Sequence, residues 1–502
     1  MSNLNIAAYD KLVERFKKLH RLNHLSALAT WDQAAMMPSG SNQARSEALA
    51  EMSTLTHELL TASEVGDWIE VAREESLDDL QKASLREMER QFEQTSVMPA
   101  DLVKAKSLAA SGCEHAWRSQ RPENDWQGFS KNLEKVLKLT REEASIRSES
   151  SGVSPYDAML ELYEPGVNCQ QLDTLFGDVK QWLPDYVQQA TERHQSSHYE
   201  MPEGPFATDN LKALGQEVMT LLGFDFNRGR LDVSAHPFCG GVSEDVRITT
   251  RYRDNDFIES LMGVVHETGH ARYEQNRPAE TLGLPVSNGR SMGIHEGQSL
   301  FFEMQIGRSR EFLALIRPLL LKHLTGGEEL PAYQLNNLET IYRRVQPGFI
   351  RVEADEVTYP AHIILRYEIE KALISGDMTV SDLPDTWHEK MQQYLNLSTE
   401  GNYKDGCMQD IHWPLGAFGY FPSYTLGAMY AAQLFATIQN TIPDVHAKIS
   451  SGELSVIFDW LKDNIWSQGS RYSTSELITR ATGEDLNASF FKEHLKARYL
   501  TD

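Results

Sequence analysis

Residues 266–270 read His-Glu-Thr-Gly-His. Histidines four apart lie on one face of a helix, so the imidazoles of His266 and His270 can reach one ion. Zinc accepts neutral imidazole nitrogens at about 2.0–2.1 Å, and with three protein ligands it keeps a position open for water. Glu267 stands beside that water and can act as its general base. The ion lowers the water's pKa and polarises a scissile carbonyl. The plain alternative is a helix with two surface histidines; a chance match to this pattern in a chain of such length is on the order of a few per cent.

A third ligand is needed, and the candidates downstream are carboxylates and histidines on a second helix. The segment GRSMGIHEGQSLFFEMQIGRS begins a helix near Ser291 and carries His295 and Glu296. Adjacent helical residues point about 100° apart, so only one of the pair can face the ion. Glu296 is read as the ligand and His295 as a neighbour packed on another face. The extended HExxHxxGxxH pattern fails here, because the run continues HETGHARYEQN. Glu274, one turn past His270, is either a partner that orients an imidazole or a solvated charge.

These residues require particular elements around them. The stretch DFIESLMGVVHETGHARYEQ has helical spacing of apolar residues, Asp254 or Asp256 to cap its start, and Pro278 beyond its end. Before it, residues 231–253 break the helical pattern: Val246, Ile248, Thr250 and Tyr252 alternate with Asp245, Arg247, Thr249 and Arg251. That period of two predicts a short strand or hairpin with Asp245, Arg247 and Thr249 on one face. Elsewhere helical periodicity dominates, as in 64–93, 132–146, 171–191 and 209–222. Phe301, Phe302 and Met304 read as core. The fold class expected is mainly α with one small sheet near the active site. A soft division near residue 200 separates an N-terminal helical half, 1–200, from a catalytic half, 201–502.

Composition narrows the function classes. The 502 residues are 41% hydrophobic and 24% charged, ordinary for a globular chain. Asp and Glu total 72 against 48 Lys and Arg, a formal charge of -24. A surface that acidic repels phosphate backbones and anionic lipid heads, so neither nucleic acid nor a membrane is an expected partner. The N-terminus reads as an amphipathic helix with no signal-peptide pattern, and no apolar run is long enough to cross a bilayer. Cys113, Cys169, Cys239 and Cys407 form no CxxC pair. A reduced, cytoplasmic location is expected.

Beyond HExxH, the chain resembles the carboxypeptidase Taq family of metallocarboxypeptidases. The family patterns HPF, DxRxT, HExxH, HES(x)Q, IRxxAD and GxxQDxHW are matched in order. They fall at His236-Pro237-Phe238, Asp245 to Thr249, His266 to His270, His295 to Gln298, Ile350 to Asp355, and Gly406 to Trp413. Two further stretches, ATWDQAAMMPSGSNQAR and SPYDAMLELYEPGV, also look like the family, so the likeness spans nearly the whole chain. One departure is Gly297, where the family pattern has Ser. The resemblance implies a neurolysin-like helical metallopeptidase with a long central groove, whose N-terminal half forms a wall or lid. It implies a homodimer, one zinc (cobalt is possible), and removal of C-terminal residues from peptides.

A carboxypeptidase must recognise a free α-carboxylate, and arginine's planar fork suits it. The resemblance assigns this to Arg351. Were 350–356 helical, Asp355 would lie on the same face and steady the guanidinium. Arg247 is the second candidate, on a strand that could pair with substrate backbone by edge addition. Tyr420 and Tyr424 can donate to a developing oxyanion, and His236 is another donor; the assignments of Tyr420 and His236 are what the resemblance implies. Gln409, Asp410 and His412 shape the site in roles the sequence does not separate. An oligo-endopeptidase of the same fold and a non-catalytic helical peptide-binding protein are the competing readings. They differ in whether Arg351 closes the groove, and in whether a base as intact as Glu267 would survive without catalysis.

Overall fold

The computed structural model describes residues 7–234 and 237–501. The chain is mainly helical with one small sheet. Four N-terminal helices, α1 (Ala8–Ala35), α2 (Asn42–Thr61), α3 (Ser63–Arg73) and α4 (Asp79–Ser96), come first. The expected helical stretch 64–93 is two helices, because Asp78 and Gln81 form a reciprocal capping box that starts α4 anew. Next come α5 (Ala100–Gln120), α6 (Trp126–Ser151), α7 (Pro155–Leu160), α8 (Cys169–Gln195) and α9 (Thr208–Leu221).

The sheet follows, with β1 (Gly229–Val233), β2 (Phe238–Val242) and β3 (Asp245–Thr250) in the order β1-β3-β2. β1 runs parallel to β3, and β2 antiparallel to it. Val246 and Ile248 are buried against α10, while Asp245 and Arg247 lie half-buried on the other face, as the alternation predicts. The centre of the sheet is β3, so its backbone groups are already paired on both sides. The expected edge addition of substrate to Arg247's strand is therefore excluded.

After the sheet come α10 (Phe257–Gln275), α11 (Met292–Leu300), α12 (Arg310–Leu320), α13 (Leu335–Tyr342), α14 (Tyr359–Ser375), α15 (Leu383–Leu395) and α16 (Pro422–Thr441). Short helices close the chain, the last α-helix being Ser489–Leu495, continued by a π-helical turn over Lys496–Leu500. Apolar side chains from Cys113 to Tyr499 form the main core, which includes Phe301, Phe302 and Met304. A separate cluster joins α1, α3 and α4 to Leu284 and Val286. A third fastens the sheet to α9 and α10.

Candidate active site

Asp256 starts α10 by accepting from the amides of Ile258 (2.8 Å) and Glu259 (3.1 Å). Apolar residues surround the helix on most sides, so it is a core helix with one polar face. On that face lie His266, Glu267 and His270. Ser291 caps α11 through the amide of Ile294 at 3.1 Å, which sets the register of Glu296. Two glycines let the helices meet. A Cβ on Gly269 would stand 2.5 Å from the Gln298 carbonyl oxygen and 2.6 Å from the Ser299 Cα. One on Gly427, in α16, would stand 2.8 Å from Glu296 Cγ. Gly297 also lies close to α16: its Cβ would be 3.2 Å from that of Tyr430, so the serine of the family pattern would need a small adjustment here.

The outcome is convergence. Ligand atoms of His266, His270 and Glu296 lie within 4.8 Å of one another. Glu296 Oε2 is 3.3 Å from His270 Nε2 and 3.9 Å from His266 Nε2. A tetrahedron with bonds of ~2.05 Å has edges of about 3.3 Å, so a small divalent ion fits this donor set with little movement.

Partners behind the imidazoles fix their tautomers. His266 Nδ1 lies 3.0 Å from Glu303 Oε2, and Arg308 donates to the other Glu303 oxygen at 2.8 Å. His270 Nδ1 lies 2.7 Å from His295 Nδ1, and His295 Nε2 lies 2.9 Å from Glu274 Oε1. Arg277 is 3.3 Å from the other oxygen of Glu274. Carboxylates cannot donate when ionised. With both imidazoles neutral, as ligation of a cation requires, protons run from His266 to Glu303, and from His270 through His295 to Glu274, which leaves both Nε2 lone pairs facing Glu296. His295 thus binds His270 rather than packing on an unrelated face, and Glu274 acts one residue removed from the imidazole it was expected to hold. Glu303, seven residues past Glu296 and near the same helical face, was hidden in a stretch that reads as core.

Charges in this cluster are unequal. Glu274 pairs with Arg277 and Glu303 with Arg308, whereas Glu267 and Glu296 have no guanidinium partner among the described residues. When all four carboxylates are ionised and both imidazoles are neutral, two negative charges are left over, which matches a dication; without one, a proton on His266 offsets part of the excess. Burial resists charge on His266, but Glu296, Glu303 and Glu267 outweigh it and hold the group up to about 10. Burial pushes Glu267 up to about 7, and its buried Oε2 has no hydrogen-bond partner among the described residues.

A second cluster has the opposite sign. Arg351 donates from Nε to Asp410 (2.9 Å) and from Nη1 to Tyr359 (2.8 Å). Arg366 grips the other Asp410 oxygen at 2.7 Å. Two guanidiniums share one carboxylate, and burial keeps the neighbouring His362 and His412 neutral. One positive charge is left over. The partner expected for Arg351, Asp355, is not its partner. Only 351–353 form a turn of 3-10 helix, and Asp355 instead accepts from the amides of Gln346, Val357 and Thr358.

Helix α16 joins the two clusters. Gly427 touches Glu296, and one turn earlier the Tyr424 ring lies 4.9 Å from the Arg351 guanidinium. His412 Nε2 is 3.2 Å from the Tyr424 hydroxyl, and the Tyr420 ring is 5.3 Å from that of Tyr424. Burial keeps both phenols protonated, with Glu296 adding to the effect on Tyr420. Arg247 joins neither cluster: it forks onto Asp245 at 2.9 Å and stacks 4.2 Å from Trp31 of α1. His236 lies outside the described residues.

A family model for carboxypeptidase Taq (M32) metallopeptidases matches residues 11–499. The chain belongs to this family. It is 36% identical over 504 residues to carboxypeptidase 1 of Bacillus subtilis, covering 99% of each chain. It is 35% identical over 505 residues to thermostable carboxypeptidase 1 of Thermus thermophilus, covering 98% of each. The solved structure of Trypanosoma cruzi metallocarboxypeptidase 1 superposes with a TM-score of 0.96 at 43% identity, covering 98% of this chain and 99% of that one. This M32 chain is therefore a metallocarboxypeptidase acting on peptides, with a divalent metal implied by its family. The two His and one Glu that converge here fit such an ion by donor type, spacing and charge.

Proposed function

We propose that this metallocarboxypeptidase holds one zinc through His266, His270 and Glu296, with Glu267 as general base and Arg351 as anchor of the substrate's α-carboxylate. The observation that carries the reading is the pairing of a carboxylate-rich cluster with a guanidinium-rich one across α16. When bound, the dication supplies Lewis acidity toward the scissile carbonyl and the attacking water. Glu267 takes a proton from that water and returns it to the departing amine. Its burial supports this, because desolvation raises the carboxylate's affinity for a proton and offsets the pull of a neighbouring cation.

Arg351 orients the peptide so that only its last bond reaches Glu267. The hydroxyls of Tyr420 and Tyr424 serve as donors to the developing oxyanion. His412 holds Tyr424, and its buried Nδ1, unpartnered among the described residues, is left for the peptide. Arg247, already paired, is the lesser substrate contact, and His236 is assigned one from resemblance alone. The N-terminal half, 1–200, is proposed as a wall or lid of a central groove, with the separately packed α1, α3 and α4 its outer part. A cytoplasmic homodimer completes the reading; no helix among the described residues is long and apolar enough to cross a membrane.

The test compares N-blocked peptides with their C-terminally amidated twins. Free acids are expected to lose single residues in a ladder seen by mass spectrometry, and amides to resist. Equal cleavage of both would instead favour an oligo-endopeptidase.

A further inference from the structure

Residues 396–421, between α15 and α16, carry Asp410, His412 and Tyr420 yet contain no helix or strand. A buried irregular segment needs fixed partners for its polar groups. One face of α14 provides them. His362, Arg366 and Glu370 recur at four-residue steps, and each is fully buried. Arg366 holds Asp410. Glu370 accepts three hydrogen bonds: from Trp413 Nε1 at 2.8 Å, from the Gly419 amide at 3.0 Å, and from the Tyr156 hydroxyl of α7 at 2.8 Å. The first two donors are the chain neighbours of His412 and Tyr420. Among the described residues no lysine or arginine pairs with Glu370 directly. A buried carboxylate held only by neutral donors is a costly feature to keep for packing alone.

We propose that Glu370 is a positioning residue of the reaction, whose carboxylate holds His412 and Tyr420 toward the peptide through Trp413 and Gly419. The inference rests on the reading of those two side chains as substrate contacts. An ionised carboxylate accepts from all three donors in charge-assisted bonds; a protonated one gives its O–H to the Tyr156 hydroxyl, which turns to accept it, and holds Trp413 and Gly419 only through weaker neutral bonds. Burial pushes Glu370 up to about 7, against the pull of Gly419, Trp413, Tyr156 and Arg366. The other ionisable groups within its field are Tyr163 and, on its own helix, Tyr367 beside Tyr156. Acidification through neutrality therefore loosens the grip on the segment.

The test measures kcat and KM against pH on the zinc-loaded enzyme with a free-acid peptide. Glu370→Gln is expected to lower kcat about tenfold or more, with KM changed much less and metal content unchanged. Glu370→Asp should recover part of the loss. Tyr156→Phe removes a donor that favours the anion, so the acid limb of kcat should move up by roughly half a unit to one unit, with the plateau within about twofold of wild type. Tyr156 does not touch Glu267, so movement of the limb in this variant reports Glu370 and not the proposed base. An unmoved limb in Tyr156→Phe overturns the inference even if Glu370→Gln fails to fold. Wild-type kcat in Glu370→Gln, with Tyr420→Phe impaired, overturns it while leaving the site reading intact. Wild-type kcat in both Tyr420→Phe and His412→Phe overturns the assignment of those contacts, and this inference with it.

Discussion

The cluster around His266 and the cluster around Arg351 are both buried, both rich in ionisable groups and both braced by partners beyond the first contact. They differ in sign. Around His266 the carboxylates outnumber the guanidiniums by two; around Arg351 one carboxylate serves two guanidiniums. Structural ion pairs tend toward balance, because an uncompensated buried charge is destabilising. An imbalance kept in both clusters, of opposite sign and joined by one helix, fits the proposal that charge is supplied to each from outside. One is suited to a cation and the other to an anion.

The largest effect that could break this contrast is removal of the ion. Chelation should abolish peptide hydrolysis and zinc should restore it; activity that survives in protein shown metal-free by elemental analysis would end the cation assignment. Next is Glu267→Gln, which should keep its metal and lose turnover by on the order of 10²–10⁴-fold. Wild-type kcat in that variant would refute Glu267 as base.

Arg351→Ala tests the other cluster. Loss of charged hydrogen bonds is worth about 1.5–3 kcal/mol, so kcat/KM for free-acid peptides should fall roughly 10- to 150-fold. Amidated peptides should be affected far less, and an equal loss on both would remove the anchor role. Glu303→Gln sharpens the first cluster: it should weaken metal binding by about 10- to 100-fold, read by competition with a chelating dye. Unchanged affinity would make Glu303 a bystander.

The smallest effect concerns stability rather than turnover. Glu356 accepts from the Tyr499 hydroxyl at 2.7 Å and from Arg498 at 3.2 Å, and it meets His494 at 2.5 Å. Burial resists its charge, but His494 and Arg498 hold the carboxyl down to about 2 from an ordinary 4.5. A depressed carboxyl stabilises the fold above its unfolded value. That contribution, about 3 kcal/mol, fades as pH falls from 4.5 toward 2. Glu356→Gln should therefore be less stable at neutral pH and vary less across that window, as urea midpoints would reveal. A wild-type pH slope in the variant would contradict the assignment.

Legibility in the sequence followed distance along the chain. His266, Glu267 and His270 were readable because one helical turn decides their geometry. The alternation at 245–250 gave a strand, but not its central place, since the parallel pairing with β1 is not encoded by local period. Asp410 lies 59 residues from Arg351, and the local guess of Asp355 failed because that segment is not an α-helix. Glu303 follows two phenylalanines whose burial made the whole stretch look apolar. Arg366 and Glu370 belong to none of the family patterns matched in the sequence, and their partners lie in a segment without regular periodicity.

Where α10, α11 and α16 press together at Gly269 and Gly427, no side chain separates them to act as a cushion. The donor atoms are therefore carried on walls with little slack, and adjustment is left to the torsions of three side chains. The chemistry of the donors points the same way: two imidazoles and one carboxylate suit a small ion at about 2.0–2.1 Å, whereas calcium asks for six or more oxygens at 2.3–2.6 Å, which these three side chains do not offer.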